Sequence, residues 1–220
     1  TYLVTTPDFV ACHVPAYLYL YDVTRGLKKN GTFLLNTLWP KEEVPNHLPD
    51  KVKKYFAQNN IKLYIINATS IAEELGLGGR TNTILQSAFF KISNVIPYEL
   101  AVEQMKKFIV KSYGKKGEDV IRMNYAAVDR GGEIEEVEIP KEWADIVVGD
   151  EQNDDAPEFI QKVVRPMNAQ RGYDLPVSVF SGREDGTWEN GTTAYEKRGV
   201  ATSVPLWNAE NCIQCNQCAY

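Results

Sequence analysis

The sequence has no run of about 18 apolar residues, which argues against a membrane-spanning helix. It has no block of lysines or arginines either, and its formal net charge of -5 argues against a nucleic-acid partner. No charged segment with a cleavage site precedes Tyr2-Leu3-Val4, which reads as a strand already under way. Only two histidines occur, and neither a histidine cluster, a catalytic triad, an internal repeat nor a low-complexity tract is present. A disulfide framework is absent too: three of the four cysteines crowd into the last nine residues instead of spreading in pairs. Thiols so closely spaced suit metal chemistry in a reducing compartment, and a cytoplasmic location is expected.

The 220 residues, 44% hydrophobic and 24% charged, suffice for one core of about 100–150 residues with an appendage. Through the first part of the chain, strand and helix signals alternate. Asp8 to Cys12 is a short apolar run suited to a strand buried on both faces, and Thr32 to Asn36 and Ile61 to Ile66 repeat it. Between them, Tyr17 to Leu27 and Pro49 to Ala57 carry helical spacing. Ser70-Ile71-Ala72-Glu73 fits a capping box. The helix after Gly76-Leu77-Gly78-Gly79 carries Ile84, Leu85, Ala88, Phe89 and Ile92 on one stripe. Another opens at Pro97 and aligns Ala101, Met105, Phe108, Ile109 and Ser112, and a last one spans Glu118 to Val128 before Gly131-Gly132. This alternation predicts an α/β fold, a mostly parallel sheet with helices on both faces. Beyond a boundary near residue 130 the periodicity fades, as in a linker or a small irregular segment that wraps around a neighbour.

Two motifs carry candidate chemistry. Cys212, Cys215 and Cys218 form C-x-x-C-x-x-C, which delivers three thiolates from one loop to a [4Fe-4S] cluster whose fourth ligand is remote. Zinc is the competing reading, since it takes one C-x-x-C pair with a second, distant pair. The sequence ends before any fourth ligand and reads as a fragment. The second motif is the glycine-rich turn leading into Arg80, Thr81, Asn82 and Thr83. Free amides at a helix start suit a phosphate, and Arg80 adds a fork of donors. Its spacing is neither a dinucleotide fingerprint nor a P-loop, so on the residues alone the weightier reading is architectural, glycines that end one helix and an Asn or Thr that caps the next. Cys12-His13 reads as packing at a strand end, His47 as a surface residue in a proline-rich turn, and Glu42-Glu43 and Asp154-Asp155 as solvated faces.

These residues also carry a resemblance. Asp8-Phe9-Val10-Ala11-Cys12-His13, Gly31-Thr32-Phe33-Leu34-Leu35-Asn36 and Gly78-Gly79-Arg80-Thr81-Asn82-Thr83-Ile84-Leu85-Gln86, followed by Glu196-Lys197-Arg198-Gly199 and the cysteine triplet, resemble the pyruvate:ferredoxin (or flavodoxin) oxidoreductase family in its single-chain form. The resemblance implies that residues 1–130 are most of the gamma-type domain associated with coenzyme A. Residues 131–205 would be the connecting segment with the Glu-Lys-Arg signature, and 206–220 the start of a ferredoxin-like domain with two [4Fe-4S] clusters. It further implies an enzyme that decarboxylates pyruvate on thiamine diphosphate and magnesium held in other domains. Electrons would pass to ferredoxin or flavodoxin, acetyl-CoA would be the product, and the assembly would be a homodimer. Arg80 to Thr83 are then expected near coenzyme A or a domain interface, and Cys212, Cys215 and Cys218 on a cluster. No thiamine-binding acidic motif occurs here, and the resemblance puts the thiamine diphosphate and pyruvate sites in other domains, so no catalytic residue is expected in this chain. The glycine-rich loop that normally opens a gamma-type domain is expected upstream of residue 1, and with it part of any coenzyme A site. An interaction scaffold between domains, with no ligand role, is the alternative.

Overall fold

The computed structural model describes residues 4–149, 155–196 and 205–219. Its contacts divide into two compact units, Thr1–Gln152 and Asn153–Tyr220.

The first unit is built on a four-stranded sheet of order β1-β2-β3-β4: β1 (Phe9–Cys12), β2 (Thr32–Asn36), β3 (Lys62–Ile66) and β4 (Glu135–Val137). The first three strands run parallel in the register Phe9–Thr32–Lys62, and β4 joins β3 antiparallel. Side chains alternate across a pleated strand, so β1, β2 and β3 each feed two cores, while β4 adds Val137 to one of them. Phe33, Leu35, Leu63 and Ile65 face one side, packed with Leu18 of α1 (Tyr17–Leu20), Val44 of α2 (Val44–His47), Val52 and Phe56 of α3 (Asp50–Gln58) and Trp143 of a 3-10 turn at Lys141–Asp145. Leu34 and Ile66 face the other, under Ala68 and Ile71 of α4 (Ala68–Glu74), Ile84 of α5 (Asn82–Ser93) and Ala127 of α7 (Glu118–Arg130). A third cluster pins α6 (Tyr98–Tyr113) on α7 through Met105, Ile109 and Val128. Helices therefore cover both faces of a mostly parallel sheet, the expected α/β class.

The close approach of α5 to α7 depends on two small residues. Ser87 is fully buried and its hydroxyl donates to the Val128 carbonyl at 2.6 Å. A side chain on Gly131 would start 2.5 Å from the Ile84 carbonyl oxygen and the Ser87 Cβ, so glycine is required there.

Several local expectations are corrected. The helix expected over Tyr17 to Leu27 is one turn, Tyr17–Leu20, ending at an extended Tyr21. Thr24 donates instead to the Asp22 carboxylate at 2.9 Å, and Gly26 turns left-handed with a missing Cβ only 2.0 Å from the Thr5 carbonyl. The start of α4 lies three residues before the expected capping box, because Asn67 is the cap and its Oδ1 accepts from the Ser70 amide at 3.0 Å. Phe108 and Ser112 point outward from α6, leaving Ala101, Met105 and Ile109 as its buried stripe. Strand β4 lies beyond residue 130, within the charged alternation Glu133 to Glu138, where only Val137 is buried.

The second unit has little regular structure. A π-helical turn, Ile160–Val164, continues into α8 (Arg165–Asn168), and short 3-10 turns follow. Its buried apolar residues among those described are Ala156, Ile160 and Val163, while Tyr173, Val177 and Leu206 are almost fully exposed.

Candidate functional site

The glycine-rich turn is first of all a helix ending. The Leu77 amide donates to the Ala72 carbonyl at 2.8 Å and the Gly76 amide to the Glu73 carbonyl at 3.0 Å, with Gly76 left-handed at φ 72°. That pair of bonds is a Schellman motif, and Leu77 and Ala72 lie in one apolar cluster, which anchors the turn. Gly78, at φ 58°, redirects the chain to Arg80.

Arg80 is exposed and folds back on its own loop, its Nε donating to the Leu77 carbonyl at 2.8 Å. It has no carboxylate partner among the described residues, so the outer guanidinium nitrogens remain available. Thr81 is the N-cap of α5, and its side chain makes no capping hydrogen bond. The first amides of this 12-residue helix are thus not closed by a side-chain cap. Asn82 and Thr83 are the first two residues of α5 and line a hollow of about 200 Å³ together with Gln86, Phe108, Ile109 and Tyr113. Arg80 and Thr81 are not part of that lining. Ligand pockets enclose about 300–1,000 Å³, so this hollow accommodates only part of a large cofactor. The structure brings together Asn82 and Thr83, with Arg80 on the rim of the preceding turn.

The cysteine triplet lies in the second unit. Cys212 is half-buried, Cys215 and Cys218 are exposed, and all are free thiols. Hydrogen bonds from the Gln214 backbone amide, and then from the Trp207 side chain, lower the Cys212 thiol below its ordinary range. Gln214 and Asn216 are both left-handed, at φ 56° and 60°, and curl the chain between successive cysteines. Three sulfur donors, one of them with the Gln214 amide turned toward it, fit the donor chemistry of an iron–sulfur cluster. Among the described residues, however, no three His, Cys, Asp or Glu side chains converge as a metal site.

Cys12 behaves as packing. It is 4% exposed, its thiol donates to the Val14 carbonyl at 3.2 Å, and burial pushes the thiol up. His47 is not isolated: its ring stacks on Trp39 with centroids 4.4 Å apart.

Sequence reasoning missed the polar organisation at the carboxyl ends of β2 and β3. Buried Asn36 donates from Nδ2 to the His13 carbonyl at 3.0 Å and accepts the Ala68 amide on Oδ1 at 2.9 Å, tying the end of β1 to the start of α4. Next to it lies a hollow of about 410 Å³. Arg130 forms one wall, its Nε and Nη2 gripping both oxygens of Glu133 at 2.8 and 2.9 Å while Nη1 holds Glu74. The Arg130 guanidinium correspondingly holds Glu133 below the usual carboxylate range. A polar residue ending an apolar strand was the available signal for Asn36, whereas the Arg130 wall joins residues 56 apart and had none.

Residues 1–134 match the pyruvate ferredoxin/flavodoxin oxidoreductase family, and residues 149–201 match a domain of unknown function. Over 99% of its length the chain is 50% identical to a pyruvate:ferredoxin oxidoreductase of Moorella thermoacetica, of which it covers 19%. It is 48% identical to a pyruvate-flavodoxin oxidoreductase of Enterobacter agglomerans, covering all of this chain and 19% of that protein. A mitochondrial NADP(+) pyruvate dehydrogenase of Euglena gracilis is 38% identical over all of this chain and 12% of its own length. Among solved structures, pyruvate oxidoreductase subunit PORC of Thermotoga maritima is similar with a TM-score of 0.49 and 26% identity, over 61% of this chain and 67% of that one. The chain spans about a fifth of the length of the first two relatives. It belongs to the pyruvate ferredoxin/flavodoxin oxidoreductase family.

Proposed function

We propose that this chain is a segment of an enzyme that oxidatively decarboxylates pyruvate to acetyl-CoA and carbon dioxide, with electrons passing through iron–sulfur clusters to ferredoxin or flavodoxin. Identity of 48–50% across the chain to two enzymes named for that reaction is the observation that carries this reading. Thiamine diphosphate and magnesium would be held elsewhere in the longer protein, so the segment alone would have no turnover. Its own contribution would be to help seat coenzyme A and to provide the first ligands of a cluster. At the α5 start, Arg80 would offer its free guanidinium edge to a phosphate, with the uncapped amides behind it and Asn82 and Thr83 supplying hydrogen bonds in the adjoining hollow. Cys212, Cys215 and Cys218 would ligate iron as thiolates, and the lowered thiol of Cys212 favours that ionised form.

A second reading has its own observation. The Schellman geometry and the Arg80–Leu77 bond give the turn a complete architectural role without any ligand. Replacing Arg80 by Ala in the intact enzyme separates the two readings. Loss of a charge-assisted contact made equally in ground and transition states raises KM for coenzyme A about tenfold with kcat little changed. An unchanged KM assigns the turn to scaffolding.

A further inference from the structure

We propose that the hollow at the carboxyl ends of β2 and β3 is a binding site for an uncharged, amino-substituted heterocycle of nucleoside size. It shares no residue with the Arg80–Thr83 turn, so the proposal does not depend on the coenzyme A reading.

In open α/β sheets, ligands bind outside the carboxyl ends of parallel strands. Here β2 ends at Asn36, and the β3–β4 ladder has its last pair at Ile65–Glu135. Beyond that pair the two chains border a hollow of about 410 Å³, inside the range of small-molecule sites.

The lining then sets the chemistry. Ile66, Ile71 and Ile134 give an apolar base and Trp39 an aromatic wall, suited to a planar ring. Asn67 and Ser70 line the hollow half-buried, and among the described residues neither Asn67 Nδ2 nor Ser70 Oγ has a hydrogen-bond partner. Glu135 adds a carboxylate that forms no ion pair there. A ring amino group suits this carboxylate, while ring nitrogens and hydroxyls suit Asn67 and Ser70. Charge decides against anions: Glu74, Glu133 and Glu135 face one guanidinium, and that guanidinium is already gripped by two of them. A phosphate or carboxylate here meets net negative charge.

The site is also held in shape before any ligand arrives. The Trp39 amide donates to the Thr37 hydroxyl at 3.0 Å, the Thr37 amide donates to the Ile66 carbonyl at 3.0 Å, and Trp39 stacks on His47. The Tyr19 hydroxyl in turn donates to the His47 carbonyl. A fixed wall lowers the ordering cost of binding.

Calorimetric titration of the 220-residue chain with adenosine tests this directly, with AMP and benzoate titrated in parallel and circular dichroism confirming the fold of each variant. The expected result is saturable adenosine binding, weaker binding of AMP, and no binding of benzoate. Glu135→Gln should weaken adenosine about tenfold, the effect of losing one charge-assisted hydrogen bond, and Ser70→Ala should weaken it less. Absence of saturable adenosine binding overturns the proposal. AMP or benzoate binding as tightly as adenosine, or a folded Glu135→Gln chain with unchanged affinity, also overturns it.

Discussion

The two units of this chain bury apolar surface in different ways. In the first, every sheet strand contributes side chains to an apolar core; two such clusters fill the space between sheet and helices, and a third lies between α6 and α7. In the second, Ala156, Ile160 and Val163 are the buried apolar residues among those described, while Tyr173, Val177, Leu206 and Trp207 lie open. Hydrophobic burial is the dominant favourable term in folding, so the first unit has its own means of stability and the second has little. The second takes its local order from 3-10 turns, a cation–π contact of Arg183 on Phe159 at 4.3 Å and the Phe159–Trp188 ring pair at 5.1 Å. A repeating core forces a repeating sequence. Where few of the described residues are buried, no period is imposed.

The contrast can be broken most sharply in the core. Phe56 is fully buried against Phe33, their rings 5.1 Å apart, so Phe56→Ala should destabilise the first unit by about 3–5 kcal/mol. Tyr173→Ala, at a site 92% exposed, should change stability by less than about 0.5 kcal/mol. Urea unfolding followed by far-ultraviolet circular dichroism compares the two. Equal effects would erase the distinction between the units.

The cysteines sharpen it next. With Cys12 buried in the first unit and its thiol pushed up by desolvation, a disulfide reagent at neutral pH should titrate Cys212, Cys215 and Cys218 in the native chain and Cys12 only after denaturation. Rapid modification of Cys12 in the folded chain would show that the β1 end opens readily.

The smallest effect concerns the wall that joins α4, α7 and the β4 approach. Glu133 has a folded pKa held below its unfolded value by Arg130. Its stabilisation is therefore present above the unfolded value of about 4.3 and is lost as pH falls through the lower, folded value. The Glu133 side chain is 53% exposed, so Glu133→Gln should lower stability by only a few tenths of a kcal/mol at pH 7. That difference should vanish in acid once Glu133 is protonated in the parent, as thermal unfolding at the two pH values can show.

Legibility followed the same division. The α/β class and strands β1 to β3 were readable because Phe33, Leu34 and Leu35 or Leu63 and Ile65 must be apolar to be buried between helix layers. Helices α5, α6 and α7 were readable because one stripe of each is fixed by packing. The one-turn helix at Tyr17–Leu20 is overread from sequence, since Tyr17 and Leu20 carry apolar side chains that stay partly in solvent, 43% and 44% exposed. Strand β4 escaped because Glu135 and Glu136 are exposed and Val137 alone is buried. The glycine turn is legible with its architectural reading as far as the helix ending goes, which the Leu77 and Gly76 amide bonds realise, whereas the expected side-chain cap of the next helix is not made by Thr81. Neither the hollow beside Trp39 nor the Glu74–Arg130–Glu133 wall was legible, because both are assembled from segments far apart in the chain.

The proposed role of the cysteine triplet meets its most direct test in the full-length enzyme. Iron and acid-labile sulfide per chain should be measured before and after Cys215→Ala, purified anaerobically. The account predicts a loss of about four irons and four sulfides with weaker broad visible absorption, as expected for one [4Fe-4S] cluster. Unchanged iron and sulfide would contradict the assignment of this triplet to a cluster.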